Sequence, residues 1–337
     1  MKRESIFKII LITLGTLFGF LIAEIGYRAY HYITWHDLDD IKVDDRPPVI
    51  QPDKELTMGQ FLQFTPNQKL IYELVPSSSY RFINVPVQTN ENGFRDKSYP
   101  EQKAEHTFRI IGLGDSNMFG WGVEEKDSYM AQLEGKLNQE DSVHYEIINT
   151  AVPGYNTVIE VETLEKKIDL SQVDLVMMNF VPNDFELPTF VRKKPEYLGI
   201  KKSFILQLFE NTHGKETRLT GSTAEVPEEY MDMVGEEPYV KAMNRLKELA
   251  EEHGFQILVF HHSPFVHKVP PIAIKTCEEL NIDFLDIVPI WKAYKEEHPE
   301  ASWRLAHNDW HPTVLAHTFV SDILLEKLRY SPYLLSQ

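Results

Sequence analysis

From residue 107 onward the chain alternates between short apolar runs and longer amphipathic stretches, and this alternation restricts the fold more than any other feature. The runs 108–113, 145–152, 173–181, 255–261 and 282–288 are nearly continuous in apolar residues, which predicts strands buried on both faces. Between them, 127–138, 157–168, 239–253 and 271–280 read as helices, with a last one near 312–329. Strands joined by helical crossovers give an α/β domain with a mostly parallel five-stranded sheet. The third crossover is interrupted. Residues 185–238 carry charges, prolines and Gly-Ser-Thr around one short apolar segment at 204–209, and read as an insertion over the carboxyl ends of the strands, a lid or a substrate platform.

Upstream, the order of signals is different. Residues 9–23 are apolar and uncharged, and with Ile6, Phe7 and Ile25 the stretch reaches about 20 residues, enough to cross a hydrocarbon core of roughly 30 Å. Lys8 and Glu24 stand near its ends, where side chains can snorkel, and Tyr27, Tyr30, Tyr32 and Trp35 follow like an interfacial belt. Lys2, Arg3 and Lys8 precede it, which predicts an N-in orientation with the rest of the chain exported, periplasmic or at the cell surface. A cleaved signal peptide is the competing reading; a cut after Ala23 would put Leu21 where a small residue belongs, so a membrane anchor is favoured. Residues 36–105 are rich in Pro and Asp and read as a stalk followed by an irregular layer, with one strand over 80–89 and a turn at Asn92-Gly93. The expected organisation is therefore an anchor over 1–35, an extension over 36–105, and a catalytic-type domain over 106–337 that contains the 185–238 insertion.

The net charge of −17 argues against nucleic acid as a partner, since phosphate binding needs a basic face. The single cysteine, Cys277, can form no internal disulfide and belongs to no metal-spaced pair; it reads as a small core residue.

Four polar signals fall at strand ends: Gly114-Asp115-Ser116 after the first strand, Gly154 after the second, Asn183-Asp184 after the third, and the 307–313 stretch with Asp309 and His311 after the fifth strand and its helix. A parallel sheet brings such ends to one edge. A serine hydroxyl is a weak nucleophile and needs an adjacent base, usually histidine, whose tautomer an acidic group must hold. A tetrahedral oxyanion needs donors from tight turns and from a side-chain amide. Ser116, His311, Asp309, Gly154 and Asn183 fill those slots. Taken singly each has a plainer reading: a helix cap for Asp115-Ser116, turn punctuation for Gly154 and Asn183-Asp184, a helix entry for His311-Pro312.

Other chemistries fit less well. His307 and His311 are four apart, but no Glu stands at 308 and Pro312 marks a helix entry; His261, His262 and His267 add no compact ligand set, so no metal is expected. Gly112-x-Gly114 does not continue into a dinucleotide or phosphate loop, and no G-x-S-x-G elbow is present.

These blocks, in this order, resemble those of the SGNH (GDSL-like) hydrolase superfamily over about residues 106–330. Asn92-Gly93-Phe94-Arg95 and Phe119-Gly120-Trp121-Gly122-Val123 are similar to membrane-anchored bacterial members. The resemblance implies a flavodoxin-like three-layer α/β/α fold and cleavage of an ester without metal or cofactor. It makes Ser116 the nucleophile, His311 the base, and the N–H groups of Ser116 and Gly154 with the Asn183 amide the oxyanion hole. The chain departs from the pattern twice. Val181 stands where the third block has glycine, and Asn308 stands three residues before His311 where an aspartate is usual. Either Asp309 takes the acid's role, the favoured reading, or a Ser–His dyad works with a carbonyl. The expected activity is an extracytoplasmic esterase for a short, acetyl-like acyl group, on a small molecule or a glycan. A polysaccharide O-acyltransferase with the same triad, or a non-catalytic membrane-tethered binding module, are the alternatives.

Overall fold

The computed structural model describes residues 3–34, 46–139, 143–188, 191, 203, 226–264, 269–307, 309–330 and 333. The chain divides into two units, Met1–Leu38 with Thr189–Glu228, and Asp39–Pro188 with Glu229–Gln337. Among its described residues the first unit contains the helix α1 (Arg3–Thr34). Within it Ile6–Tyr30, 25 residues whose most apolar 18-residue window has a mean hydropathy of 2.3, is long and apolar enough to cross a membrane. Glu24 is not left bare in this apolar helix. Arg28 Nε donates to its Oε1 at 2.7 Å and Ser203 Oγ to its Oε2 at 2.8 Å, which lowers the cost of a carboxylate there. The apolar segment 204–209 and most of the 185–238 stretch lie outside the described residues.

The second unit begins with a layer of short strands: β1 (Ile50–Glu55), the one-turn helix α2 (Met58–Phe61), β2 (Leu62–Phe64), β3 (Tyr72–Leu74), β4 (Ser79–Phe82) and β5 (Val85–Gln88). β2 and β3 pair antiparallel, while β4 pairs parallel with β1 and antiparallel with β5. The stretch 80–89 is therefore a hairpin, not one strand. Its turn residues Ile83 and Asn84 both have positive φ, 50° and 63°, as a two-residue hairpin turn requires. Asparagine suits that backbone and isoleucine does not, so the apolar pattern runs through the turn and hides it. The Asn92-Gly93 turn forms, with the Gly93 N–H donating to Asn90 O at 3.0 Å.

The α/β part follows as β6 (Thr107–Leu113), α3 (Ser116–Phe119), α4 (Tyr129–Leu137), β7 (His144–Asn149), α5 (Thr157–Lys167), β8 (Leu175–Asn179), α6 (Glu236–His253), β9 (Gln256–His261), α7 (Pro271–Glu279), β10 (Asp283–Asp286), α8 (Val288–Glu297), β11 (Arg304–Ala306), β12 (Asp309–Pro312) and α9 (Val314–Arg329). Five of these strands form one parallel sheet in the order β10-β9-β8-β6-β7, the flavodoxin-like order. The chain steps one way from β6 to β7 and the other way at each later crossover. Right-handed connections then put α4 on one face of the sheet and α5, α6 and α7 on the other. The packing agrees: α4 lies against α9, and α5 against α6. All seven residues of β6 are buried, and its carboxyl end lies at the point where the strand order reverses. Cys277 is buried in α7, and burial pushes its thiol up to about 12, which keeps it an unreactive core residue.

One buried ion pair crosses the sheet. Arg109 on β6 and Glu146 on β7 are register partners 2.7 Å apart, with side chains 5% and 7% exposed. Arg109 also donates to the carbonyls of Pro100 (2.7 Å) and Glu101 (3.2 Å), tying the N-terminal layer to the sheet. Removing one partner leaves a buried charge without compensation. Arg109→Met should lower the unfolding free energy by about 3–5 kcal/mol in urea titrations near neutral pH, and adding Glu146→Leu should recover part of that loss.

Candidate active site

The exit from β6 is shaped by a steric constraint. A Cβ on Gly114 would lie 2.7 Å from Met118 Cβ, so only glycine lets the one-turn helix α3 fall back on its own strand. Asp115 caps that turn, its Oδ1 accepting from the Asn117 N–H at 2.9 Å and from Asn117 Nδ2 at 3.0 Å. Ser116, half-buried, is the first residue of the turn.

The other strand ends converge on it. After β7, Gly154 has φ +84°, and a Cβ there would come 2.9 Å from Tyr72 Oη and 3.0 Å from Pro188 Cβ. Tyr72, from the N-terminal layer, donates to Pro153 O at 2.9 Å. Next, Asn156 caps α5 and donates through Nδ2 to Glu186 O (3.0 Å) and Met233 O (2.9 Å), binding the second loop to the third. After β8 the chain makes a 3₁₀ turn, Pro182–Phe185. Asn183 Nδ2 donates to Asp115 Oδ2 at 3.2 Å. Val181, in place of the expected glycine, has φ −132° and ψ 153°, ordinary extended backbone that valine accepts without strain. The N–H groups of Ser116 and Gly154 donate to no group among the described residues.

His311 arrives on the β11–β12 hairpin, not on a helix; α9 begins after Pro312, capped by Thr313. Asp309 and His311 are two apart on β12 and so share a face. Ser116 Oγ is 2.8 Å from His311 Nε2, and His311 Nδ1 is 2.7 Å from Asp309 Oδ1. An ionised carboxylate only accepts, so Nδ1 carries the proton and Nε2 is left to receive one from the serine hydroxyl. Asp309 Oδ1 also accepts from the His311 N–H at 3.1 Å, and its Oδ2 from Trp121 Nε1 at 3.3 Å. Partial burial works to raise the Asp309 carboxyl, but the hydrogen bonds from His311 and Trp121 outweigh it and hold it below the usual carboxylate range. Asn308 lies outside the described residues.

The arrangement thus sets a hydroxyl, an imidazole and a carboxylate in a hydrogen-bonded line, with a side-chain amide beside the hydroxyl. Such a line can move a proton off Ser116 Oγ. The other histidines weighed as metal ligands do not join it. His307 sits on an exposed turn bonded to Arg304, while His261 and His262 are buried and bonded to Phe180 O and Asn179 Oδ1. His267 lies outside the described residues, and among the described residues no three His, Cys, Asp or Glu gather as a metal-ligating group.

Sequence reasoning missed Trp121, Asp115 as the partner of Asn183, Asn156, and a buried carboxyl pair. Trp121 stands in the flagged Gly-Trp-Gly segment, the one signal that could have pointed to it. The pair is Asp184 and Glu160, both about 1% exposed and without an ion-pair partner among the described residues. Asp184 Oδ2 accepts from the Val181 N–H at 3.1 Å and so closes the turn that carries Asn183, while neither Glu160 oxygen has a hydrogen-bond partner among the described residues. Burial, and then the neighbouring carboxyls, push both groups well above the carboxylate range.

No protein-family model matches the chain, and no curated protein is significantly similar to it. Among solved structures it is similar to the acetyl xylan esterase AlAXEase (15% identity, 66% of this chain and 100% of that one, TM-score 0.43). It is also similar to an acetylxylan esterase from Geobacillus stearothermophilus (15%, 68% and 97%, TM-score 0.40) and to a lipase/acylhydrolase from Enterococcus faecalis (11%, 66% and 95%, TM-score 0.41).

The buried pair makes stability depend on pH. The folded state keeps protons that the unfolded chain loses above about pH 4, so stability falls as pH rises through the range between the unfolded and folded values. Glu160→Gln cannot titrate. Its unfolding free energy relative to wild type should therefore rise as the pH is raised above about 5, by up to about 1.4 kcal/mol per pH unit, as read from paired urea titrations.

Proposed function

We propose that this protein is a membrane-anchored serine esterase of the SGNH type that cleaves short, acetyl-like acyl esters. The observation that carries the reading is the line Ser116 Oγ–His311 Nε2–Nδ1–Asp309 Oδ1, with links of 2.8 and 2.7 Å. A binding module has no need of a serine hydroxyl held against an imidazole lone pair.

In this reading Ser116 Oγ attacks the acyl carbonyl carbon and its proton passes to His311 Nε2. Asp309 stabilises the resulting imidazolium and keeps the ring in the productive tautomer. The carbonyl oxygen, now an oxyanion, takes hydrogen bonds from the N–H groups of Ser116 and Gly154 and from Asn183 Nδ2. His311 then returns the proton to the departing alcohol oxygen, leaving an acyl ester on Ser116. Water repeats the cycle: His311 takes its proton, the hydroxide adds to the acyl carbon, and collapse releases the acid and restores the serine hydroxyl. Asp115, which accepts from Asn183 Nδ2, sets the direction of that amide. No metal or cofactor enters these steps. The substrate class is an acyl ester of a small molecule or a glycan.

The localisation rests on the helix over Ile6–Tyr30 and on Lys2, Arg3 and Lys8 near its start, which favour an N-in, single-pass topology with the catalytic domain outside. In right-side-out membrane vesicles, added protease should digest the domain after residue 46; full protection would overturn this topology.

The full-length chain in detergent should hydrolyse p-nitrophenyl acetate, and Ser116→Ala should lower kcat by about a thousandfold or more. Hydrolysis that survives this substitution would exclude Ser116 as nucleophile.

A further inference from the structure

We propose that Trp121 is a positioning residue for the His311–Asp309 pair, fixing the carboxylate through its indole N–H and the imidazole through its ring face. The inference rests on the esterase reading for its catalytic consequence, and on geometry alone for the contact itself.

The need arises from the spacing of Asp309. An aspartate two residues before its histidine on the same strand reaches the ring with one oxygen only: Oδ1 serves both the His311 ring, at 2.7 Å, and the His311 N–H, at 3.1 Å. Those bonds leave rotation of the carboxylate about its last torsion unopposed, because the terminal torsion of Asp is broad. Trp121 Nε1 closes it. With its donation to Oδ2 at 3.3 Å, both oxygens are committed and the plane of the carboxylate is set.

The same indole lies flat on His311. The ring centroids are 4.5 Å apart and the planes differ by 12°. When His311 accepts the serine proton it becomes a cation over the face of a tryptophan, the aromatic that attracts cations most strongly. One side chain thereby limits the tilt of the ring and favours the charged form that develops during reaction.

Trp121 is itself held from two sides. Phe82 of β4 meets it edge-on at 4.7 Å and 83°. Below, Arg95 is buried and donates to the carbonyls of Phe119 (3.0 Å), Gly120 (2.7 Å) and Val123 (2.8 Å), three residues bracketing Trp121, and to Pro86 at 3.2 Å. Burial lowers this guanidinium only to about 10, so it stays charged at neutral pH. The two sequence segments 92–95 and 119–123 are thus parts of one support: Arg95 grips the loop, the loop presents Trp121, and Trp121 holds the pair.

The test uses the full-length protein in detergent. In wild type, the His311 Nδ1 proton should give a far-downfield proton NMR signal at low temperature, identified by its loss in His311→Gln. Trp121→Phe keeps a ring and removes the N–H. It should move or broaden that signal and lower kcat about tenfold, with KM changed less than about twofold. In an Asp309→Asn background the same substitution should have little further effect on kcat. Arg95→Lys, which touches neither His311 nor Asp309, should weaken the signal in the same direction. An unchanged signal together with kcat within twofold in Trp121→Phe would overturn the proposal, as would an equal loss in the Asp309→Asn background. If wild type shows no esterase activity, the functional reading fails while the NMR comparison still decides whether Trp121 orders the pair.

Discussion

Gly114 lies 2.7 Å, measured from the position its Cβ would take, from the Cβ of Met118, and much of the site depends on this close approach. It makes the chain reverse within one residue of leaving the central strand. Asp115 is thereby turned inward, where its side chain accepts from Asn117 and Asn183, while Ser116 is turned toward the β11–β12 hairpin. A larger residue at 114 would push α3 off the strand, and the serine, its cap and the amide of the third loop would lose their common reference.

The site has two kinds of polar group, and the distinction is one of energy. Groups at the surface of the site are paired: Asp309 and Asp115 accept three hydrogen bonds each. Groups behind it are not. Among the described residues, Glu160, His261, His262 and His317 each keep at least one buried atom without a hydrogen-bond partner, and burial holds the histidines toward their neutral forms. Polar groups of this kind cost stability in a dry interior, whereas the paired ones are rigid and define a single geometry.

How much of this was legible in the sequence follows from the range of the interactions concerned. The five strands of the sheet are readable because strands buried on both faces are nearly continuous in apolar residues; Arg109 interrupts the first and is matched across the sheet by Glu146. The blocks that bring Ser116, Gly154, Asn183 and His311 to one edge are readable because a parallel sheet converts order along the chain into position along an edge. The 80–89 hairpin was not, since Ile83 occupies a backbone conformation its type disfavours. The β11–β12 hairpin is too short to leave a period. Trp121 and Arg95 could be noticed as residues but not assigned a task, because each acts through a partner far along the chain, and no local pattern encodes such a partner.

That distance has a consequence in time. Ser116 and His311 are 195 residues apart, and Trp121 and Asp309 are 188 apart. Contacts of such separation form late, since the chain between them must first be ordered. During synthesis the serine, its cap and the amide of Asn183 all emerge well before the hairpin that carries the histidine. On the proposed esterase reading, a nascent or prematurely terminated chain that stops short of residue 309 holds a serine without its base. In that reading the hydroxyl stays inert until the last tenth of the polypeptide has been made and docked, so reactivity is withheld until assembly is nearly complete.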